Sequence, residues 1–379
     1  MKYAIITQIK FWEKRQGCDH VINNRFDYLT GDKVLIYVGK LNEKEKEIIK
    51  NRNIKLYIVN PLSFNLFRII RFGLAKIHLN KFYFFKKPFN FTVFTKNKIK
   101  NICKKEDIDT VVVEYVWLAN MINKLPSKTV KIIDTHDIQS QFCELFSKTN
   151  KNWKIMVKPE DEIKLYKKFD IVIALSRSDK EYFDQYLDNV YYLPLTYNKK
   201  TFKHISKTKL SLGFIGGSAQ FNFDAVDWFV QNVFPSLHDV ELNVYGTVCK
   251  QLNYDIKGVN VIGPVDNLDD VYQDNHVMIN PTFIIGGIKT KNVEALSYGK
   301  IVLTTSYGAR GLERFIETGF INVADTPIDT VKIIEKYQKD ISSFNEIGDS
   351  VIKEFEKEFG QENNHIFEKE IIKKHKEKN

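Results

Sequence analysis

The stretch Ile284-Ile-Gly-Gly-Ile-Lys-Thr-Lys-Asn-Val-Glu-Ala-Leu-Ser-Tyr-Gly-Lys-Ile-Val-Leu-Thr-Thr305 decides how the chain is read. It follows a short apolar run, His276–Asn280, closed by Pro281, and opens into a helical pattern whose apolar positions are Val293, Ala295 and Leu296. The spacing predicts strand, glycine loop, helix, a stop at Gly299, then a second strand. Such a unit turns several unpaired backbone N–H groups and the positive end of a helix dipole toward one point, which suits a phosphate.

Working outward, the same alternation fills the second half of the chain. Leu210–Ile215 reads as a strand ended by Gly216, Gly217 and Ser218, and Asp224–Phe234 as an amphipathic helix stopped by Pro235. Glu241–Tyr245 and Val259–Ile262 read as strands closed by Gly246 and Gly263, Leu268–Gln273 as a short helix, and Val277–Asn280 as the strand feeding the opening stretch. The first half repeats the pattern at Tyr3–Thr7, Val34–Val38, Lys55–Val59, Thr110–Glu114, Val130–Asp134, Asp170–Leu175 and Val190–Leu193. These runs are β-branched and nearly continuous, as parallel strands buried on both faces are. The expected fold is α/β, two doubly wound Rossmann-like lobes. We divide the chain into an N-terminal Rossmann-like domain (1–198), a C-terminal Rossmann-like domain (199–343) and a helical tail (344–379). The polar stretch Lys199–Lys209 serves as linker, with a hinge near residues 194–210. The tail has an apolar face that includes Ile347, Val351, Ile352 and Phe355, and its last residues, Lys373–Lys378, are expected to be frayed and solvated.

With 379 residues the chain exceeds what one core usually supports, and 43% hydrophobic and 27% charged residues is an ordinary globular balance. Cys18, Cys103, Cys143 and Cys249 show no metal-ligand spacing, so we read them as reduced thiols of a cytosolic protein with no zinc site. Met1–Thr7 reads as a strand rather than a secretory signal, and no apolar run is long enough for a membrane span. The net charge of +10 fits nucleic acid, anionic lipid or nucleotide-activated substrates, and equally a lysine-rich codon bias.

Three segments resemble the family 4 (group 1) retaining glycosyltransferases of GT-B fold: Leu212–Phe229, Val261–Tyr272, and above all Gly287–Thr305 with Gly308–Leu312. The resemblance implies two lobes about a deep cleft, with the C-terminal helix packing back on the first. It makes Glu294 the acceptor of the ribose hydroxyls of a nucleoside-diphosphate sugar. Lys289, with the loop of Gly286, Gly287, Ile288 and Thr290, would hold its diphosphate, and Gly216, Gly217 and Gly263 would line the donor. Many members carry a second glutamate where this chain has Gly286. The phosphate-binding Arg and Lys that many place after the first and third strands of this lobe are replaced by Gly216–Ser218 and Gly246–Val248, with Lys250 as a substitute. In the first lobe, Lys131–Gln141 resembles the family's strand and Asp-x-His-Asp loop, so His136 and Asp137 become the acceptor-side residues. Gly17, in Gln16–Asp19, stands for the glycine loop after the first strand.

The implied activity is hexosyl transfer from a nucleotide sugar to a glycan or lipid-linked acceptor in bacterial surface polysaccharide synthesis. No cofactor is expected, and no metal either, since Asp107 and Asp109 have metal-site spacing but precede a first-lobe strand. Local alternatives stand beside these roles. Glu294 pairs with Lys291 on the helix surface, His136 is a turn residue satisfied by nearby backbone, and the Gly216–Gly217 pair is simply a tight turn. Residues 64–89 interleave aromatics and aliphatics with Arg68, Arg71, Lys76, Lys81, Lys86 and Lys87, and two readings are open. One is an interfacial helix on an anionic inner membrane face, the other a core helix with a solvated basic side. A GT-B sugar-nucleotide epimerase and a non-catalytic nucleotide- or polyanion-binding protein are the rivals. A nucleic-acid partner is disfavoured because a carboxylate at a phosphate site repels a polyanion.

Overall fold

The computed structural model describes residues 1–13, 17–60, 93–149, 157–283 and 287–379, so the basic-aromatic stretch 64–89, together with Gln16 and Gly286, lies outside the described residues. The chain divides into two compact units, Met1–Leu195 with Glu362–Asn379, and Thr196–Gln361.

The first unit is built on a seven-stranded parallel sheet in the order β3-β2-β1-β4-β5-β6-β7. The strands are β1 (Lys2–Thr7), β2 (Asp32–Val38), β3 (Lys55–Val59), β4 (Thr110–Glu114), β5 (Val130–Asp134), β6 (Ile171–Ala174) and β7 (Val190–Tyr192). Val111 and Val113 of β4 and Ile132 and Ile133 of β5 have no solvent exposure, because helices cover both faces of the sheet. The second unit has six parallel strands in the order β10-β9-β8-β11-β12-β13. These are β8 (Leu210–Ile215), β9 (Val240–Tyr245), β10 (Val259–Gly263), β11 (Val277–Asn280), β12 (Ile301–Thr304) and β13 (Ile321–Val323). Strand order reverses between β1 and β4 in one sheet and between β8 and β11 in the other. Loops leaving the carboxyl ends of such strands are where open α/β sheets place ligands.

Three expectations are corrected. Lys199–Lys209 is not a free linker: Phe202 packs against Gly348, Lys200 N–H donates to Ser297 O at 3.0 Å, and Ile205 N–H donates to Asn345 Oδ1 at 2.9 Å. Its two apolar residues bind this polar stretch along the second unit. Nor is the tail one domain. The helix Ser343–Phe359 belongs to the second unit through Val351, Phe355 and Phe359, and the helix Glu362–Lys378 to the first. There Glu368 accepts from Tyr3 Oη and from Thr30 N–H and Oγ1, so the final helix does pack on the N-terminal sheet. The last turn is anchored rather than frayed, because Lys378 Nζ donates to Thr129 O and pairs with Asp170 at 2.7 Å. No described helix is long and apolar enough to cross a membrane.

Candidate functional site

In the second unit, the loop after β11 enters the helix Thr290–Ser297, with Lys289 as N-cap. Asn292, 1% exposed, fixes this entry from both sides, accepting from Asn280 Nδ2 at 2.8 Å and donating to Gly308 O at 2.9 Å. Lys289, Thr290, Gly287 and Ile288 are all partly exposed at this end, and Lys289 Nζ folds back toward Gly287 O at 3.3 Å. One turn along, Glu294 Oε2 accepts from Tyr272 Oη at 3.0 Å. Tyr272 is fully buried and stacks on Tyr298 at 4.4 Å, while Tyr298 Oη donates to Asp269 at 2.6 Å. Glu294 Oε1 accepts no hydrogen bond from the described residues. Burial raises the Glu294 pKa from its ordinary value, and the bond from Tyr272 pulls it partly back. The surface pair with Lys291 is absent; Lys291 turns instead to Asn222 Oδ1, at 2.8 Å.

The glycines at the ends of β8, β9 and β10 interlock. Gly216 N–H donates to Tyr245 O, Gly216 O accepts from Val248 N–H, and Gly246 N–H donates to Gly263 O at 2.7 Å. A Cβ on Gly246, whose φ is +93°, would lie 2.3 Å from Gly216 O, so glycine is required there. Gly216 and Gly263 therefore hold these loops together, which leaves the exposed Gly217 and Ser218 as the ligand-accessible part of the turn. The short helical turn Thr247–Gln251 abuts it through Gln251 Nε2 to Ser218 O at 2.9 Å and carries Lys250 on its exposed side.

In the first unit, β4 and β5 pair in register so that Glu114 lies beside Asp134. Two buried carboxylates at one level repel, and two cations answer them: Arg25 Nε meets Asp134 Oδ2 at 3.0 Å, and His136 Nε2 meets Glu114 Oε2 at 2.6 Å. Burial would push the His136 pKa down, but Asp134, Glu114 and Asp137 together hold it raised. Burial likewise raises Glu114, and the bond with His136 pulls it partly back. Tyr115, directly after β4, and His136, two residues past the end of β5, adopt φ of 68° and 62° and stack at 4.0 Å. Two adjacent non-glycine residues in this region store strain that the surrounding packing must hold. Glu162 fixes the next segment by accepting from Gln139 and Ser140 N–H, both at 2.9 Å, at the start of the helix Gln139–Thr149. Asp137 is partly exposed between these anchors.

Glu114, Asp134 and His136 are also the one group among the described residues whose ligand atoms lie close enough, within 4.8 Å, to hold a metal ion. One oxygen of each carboxylate is already paired, Asp134 with Arg25 and Glu114 with His136. Gly17 opens the helix Gly17–Tyr28. Asp109, at the opposite end of β4, accepts from Lys2 N–H at 2.8 Å. Sequence reasoning missed Arg25, Glu114, Tyr115, Glu162, Tyr272, Asn222 and Lys291. Only the Tyr272–Glu294 pairing had a usable signal, since both fall in segments of recognisable pattern.

Residues 209–340 match the family of glycosyl transferases group 1. A protein in the cps region of Klebsiella pneumoniae is 28% identical over 141 residues, 33% of this chain and 36% of that protein, so the match spans about a third of either. Among solved structures, Anabaena HepE in complex with UDP superposes with a TM-score of 0.70 at 14% identity, covering 98% of this chain and 100% of HepE. Sucrose-phosphate synthase from Thermosynechococcus elongatus gives 0.67 at 11% identity, covering 98% of both chains. The lipopolysaccharide outer core galactosyltransferase WaaB gives 0.62 at 13% identity, covering 99% of this chain and 100% of WaaB. With these likenesses added to two doubly wound parallel sheets, the chain has the GT-B fold, and its residues 209–340 are similar to the glycosyl transferases of group 1.

Proposed function

We propose that this protein transfers a hexosyl unit, with retention of configuration and without a metal, from a uridine-diphosphate sugar to a hydroxyl of a glycan or lipid-linked acceptor in surface polysaccharide assembly. The observation that carries the reading is Glu294: a partly exposed carboxylate, oriented through one oxygen by a buried tyrosine and with its other oxygen open, one turn from a helix N-terminus. A carboxylate so held can accept from both cis hydroxyls of a ribose while the helix end faces the diphosphate. The uridine choice is supported by HepE, solved with UDP and with UDP-glucose. The polysaccharide context is supported by WaaB and by the cps-region relative.

In this reading the leaving diphosphate takes part in removing the acceptor proton. The protein stabilises its developing charge with loop N–H groups, the helix dipole and a lysine. Asp137, partly exposed beside the buried His136, meets the acceptor side. Residues 64–89 bring the protein to the anionic inner face of the membrane, which flotation with vesicles of neutral and of acidic lipid tests directly: equal binding to both overturns it.

Thermal-shift screening against UDP-, GDP-, ADP-, dTDP- and CMP-sugars, followed by donor hydrolysis before and after EDTA, tests the rest. A shift with UDP-sugars and EDTA-resistant hydrolysis are expected. No shift with any nucleotide overturns the transferase reading, and activity restored only by Mn²⁺ overturns metal independence.

A further inference from the structure

The side chain of Lys291 leaves the helix Thr290–Ser297 and crosses to the glycine turn after β8. Its ammonium sits 4.9 Å from the centre of the Phe214 ring and donates to Asn222 Oδ1 at 2.8 Å. Asn222, 7% exposed, gives its own Nδ2 to Gly217 O at 3.1 Å, so one amide ties the lysine to the turn. No carboxylate among the described residues pairs with Lys291. The groups facing it are neutral or positive: Phe214 from β8, Asn222 from the helix Gln220–Asn232, and Lys289 from its own helix end. An ammonium enclosed by protein with only a neutral acceptor is costly to maintain, and proteins keep such groups where a ligand completes them. Enclosure and Lys289 together hold its pKa down at about 8, although the residue as a whole remains partly exposed.

Resting on the donor-site reading above, we propose that Lys291, rather than Lys289, is the cation against which the donor diphosphate is bound. It occupies the space between the Gly217–Ser218 turn and the N-terminal end of the helix, where a diphosphate bridging the two would meet it. It thereby does the work of the basic residues that the loops after β8 and β9 lack. Asn222 is its positioning residue, fixing the ammonium through Oδ1 and the turn through Nδ2.

Calorimetry on the full chain tests this with two probes, UDP and inorganic pyrophosphate. Lys291→Met is expected to weaken both by about 10-fold or more, the loss of one charge-assisted contact. It should melt at or above the wild-type temperature, since it removes an uncompensated charge. Lys291→Arg is expected to recover most of the affinity. Glu294→Ala is expected to weaken UDP while leaving pyrophosphate nearly unchanged. At pH 8.5, UDP binding by the wild type should take up a fraction of a proton, read from buffers of different ionisation enthalpy, and Lys291→Met should abolish that uptake. Lys291→Met binding both probes like the wild type overturns the proposal alone. A wild type that binds pyrophosphate but no nucleoside diphosphate overturns the donor reading and leaves Lys291 as an anion ligand. A wild type that binds neither overturns both.

Discussion

The two units each place charged side chains at the carboxyl ends of their central strands, and they treat those charges in opposite ways. At β4 and β5 the charges close on themselves, with Arg25 against Asp134 and His136 against Glu114, all four residues at most 5% exposed. At β8 and β11 they stay open: Lys291 has only an amide partner and Glu294 only a tyrosine. A closed set contributes shape, since each of its charges has an opposite partner beside it, even though Arg25 Nη1 and Nη2, Glu114 Oε1 and Asp134 Oδ1 are buried without a hydrogen-bond partner among the described residues. An open set contributes binding, since its members lack partners that a ligand supplies. Substitutions in the first unit should therefore register chiefly in stability, and those in the second chiefly in affinity.

The sharpest break of that contrast is Arg25→Met. It leaves Asp134 beside Glu114 with one cation fewer, and breaking a buried pair in this way costs about 3–5 kcal/mol. Hydrogen exchange should show peptides from β4 and β5 losing protection while those from β8 and β11 keep theirs. Uniform loss across both units would show the sheets to be one cooperative block. Second in size is Glu294→Ala, which removes the acceptor of two ribose hydroxyls. UDP affinity should fall by roughly 2–3 kcal/mol, a 30- to 150-fold change by calorimetry. The melting temperature without ligand should stay within a degree or two. Third is Tyr272→Phe, which deletes one hydrogen bond to Glu294 Oε2 and should cost about 1 kcal/mol of UDP affinity, some fivefold. Since that bond favours the ionised carboxylate, its loss raises the Glu294 pKa further. The pH below which UDP binding fades should move upward in the variant, and an unmoved profile would show that Tyr272 does not orient the carboxylate.

How much of this was legible in the sequence follows from the range of each interaction. The strands were legible because buried parallel strands write themselves as unbroken β-branched runs; Ile321–Val323 was missed because three residues carry no period. The strand, helix and strand that carry Glu294 were legible because one local segment holds them. The cassette around His136 was not: Arg25 meets Asp134 across 109 residues, a pairing set by how the helix Gly17–Tyr28 packs on the sheet. Lys291 shows the limit most clearly. Helix spacing points it at Glu294, three residues on, yet its ammonium reaches Asn222, 69 residues away, where an aromatic face and an amide hold it. Its position in the sequence was obvious, and its role depended on a tertiary contact.

The smallest predicted effect separates the two regions by pH alone. Burial lifts the Glu294 pKa above its ordinary 4.5, so between that value and the raised one the folded chain binds more protons than the unfolded chain, and stability falls as pH rises through the window. His136 is also raised, by Asp134 and Glu114 acting against burial, so its contribution is complete below its ordinary 6.5 and fades as pH climbs through the folded value. Both slopes have the same sign, but they begin two pH units apart and belong to different units. Glu294→Gln keeps an oxygen for Tyr272 and cannot ionise. It should remove the Glu294 share of the acid-side slope, to which the raised Glu114 and Glu162 also contribute, leave the slope above pH 6.5 intact, and raise the neutral-pH melting temperature without ligand by about 1–2 °C. Thermal unfolding of the wild type and variant from pH 4 to pH 9 reads both windows. If Glu294→Gln flattened the upper slope as well, the open site would be tied to the closed one, and the division of labour between the two units would fail.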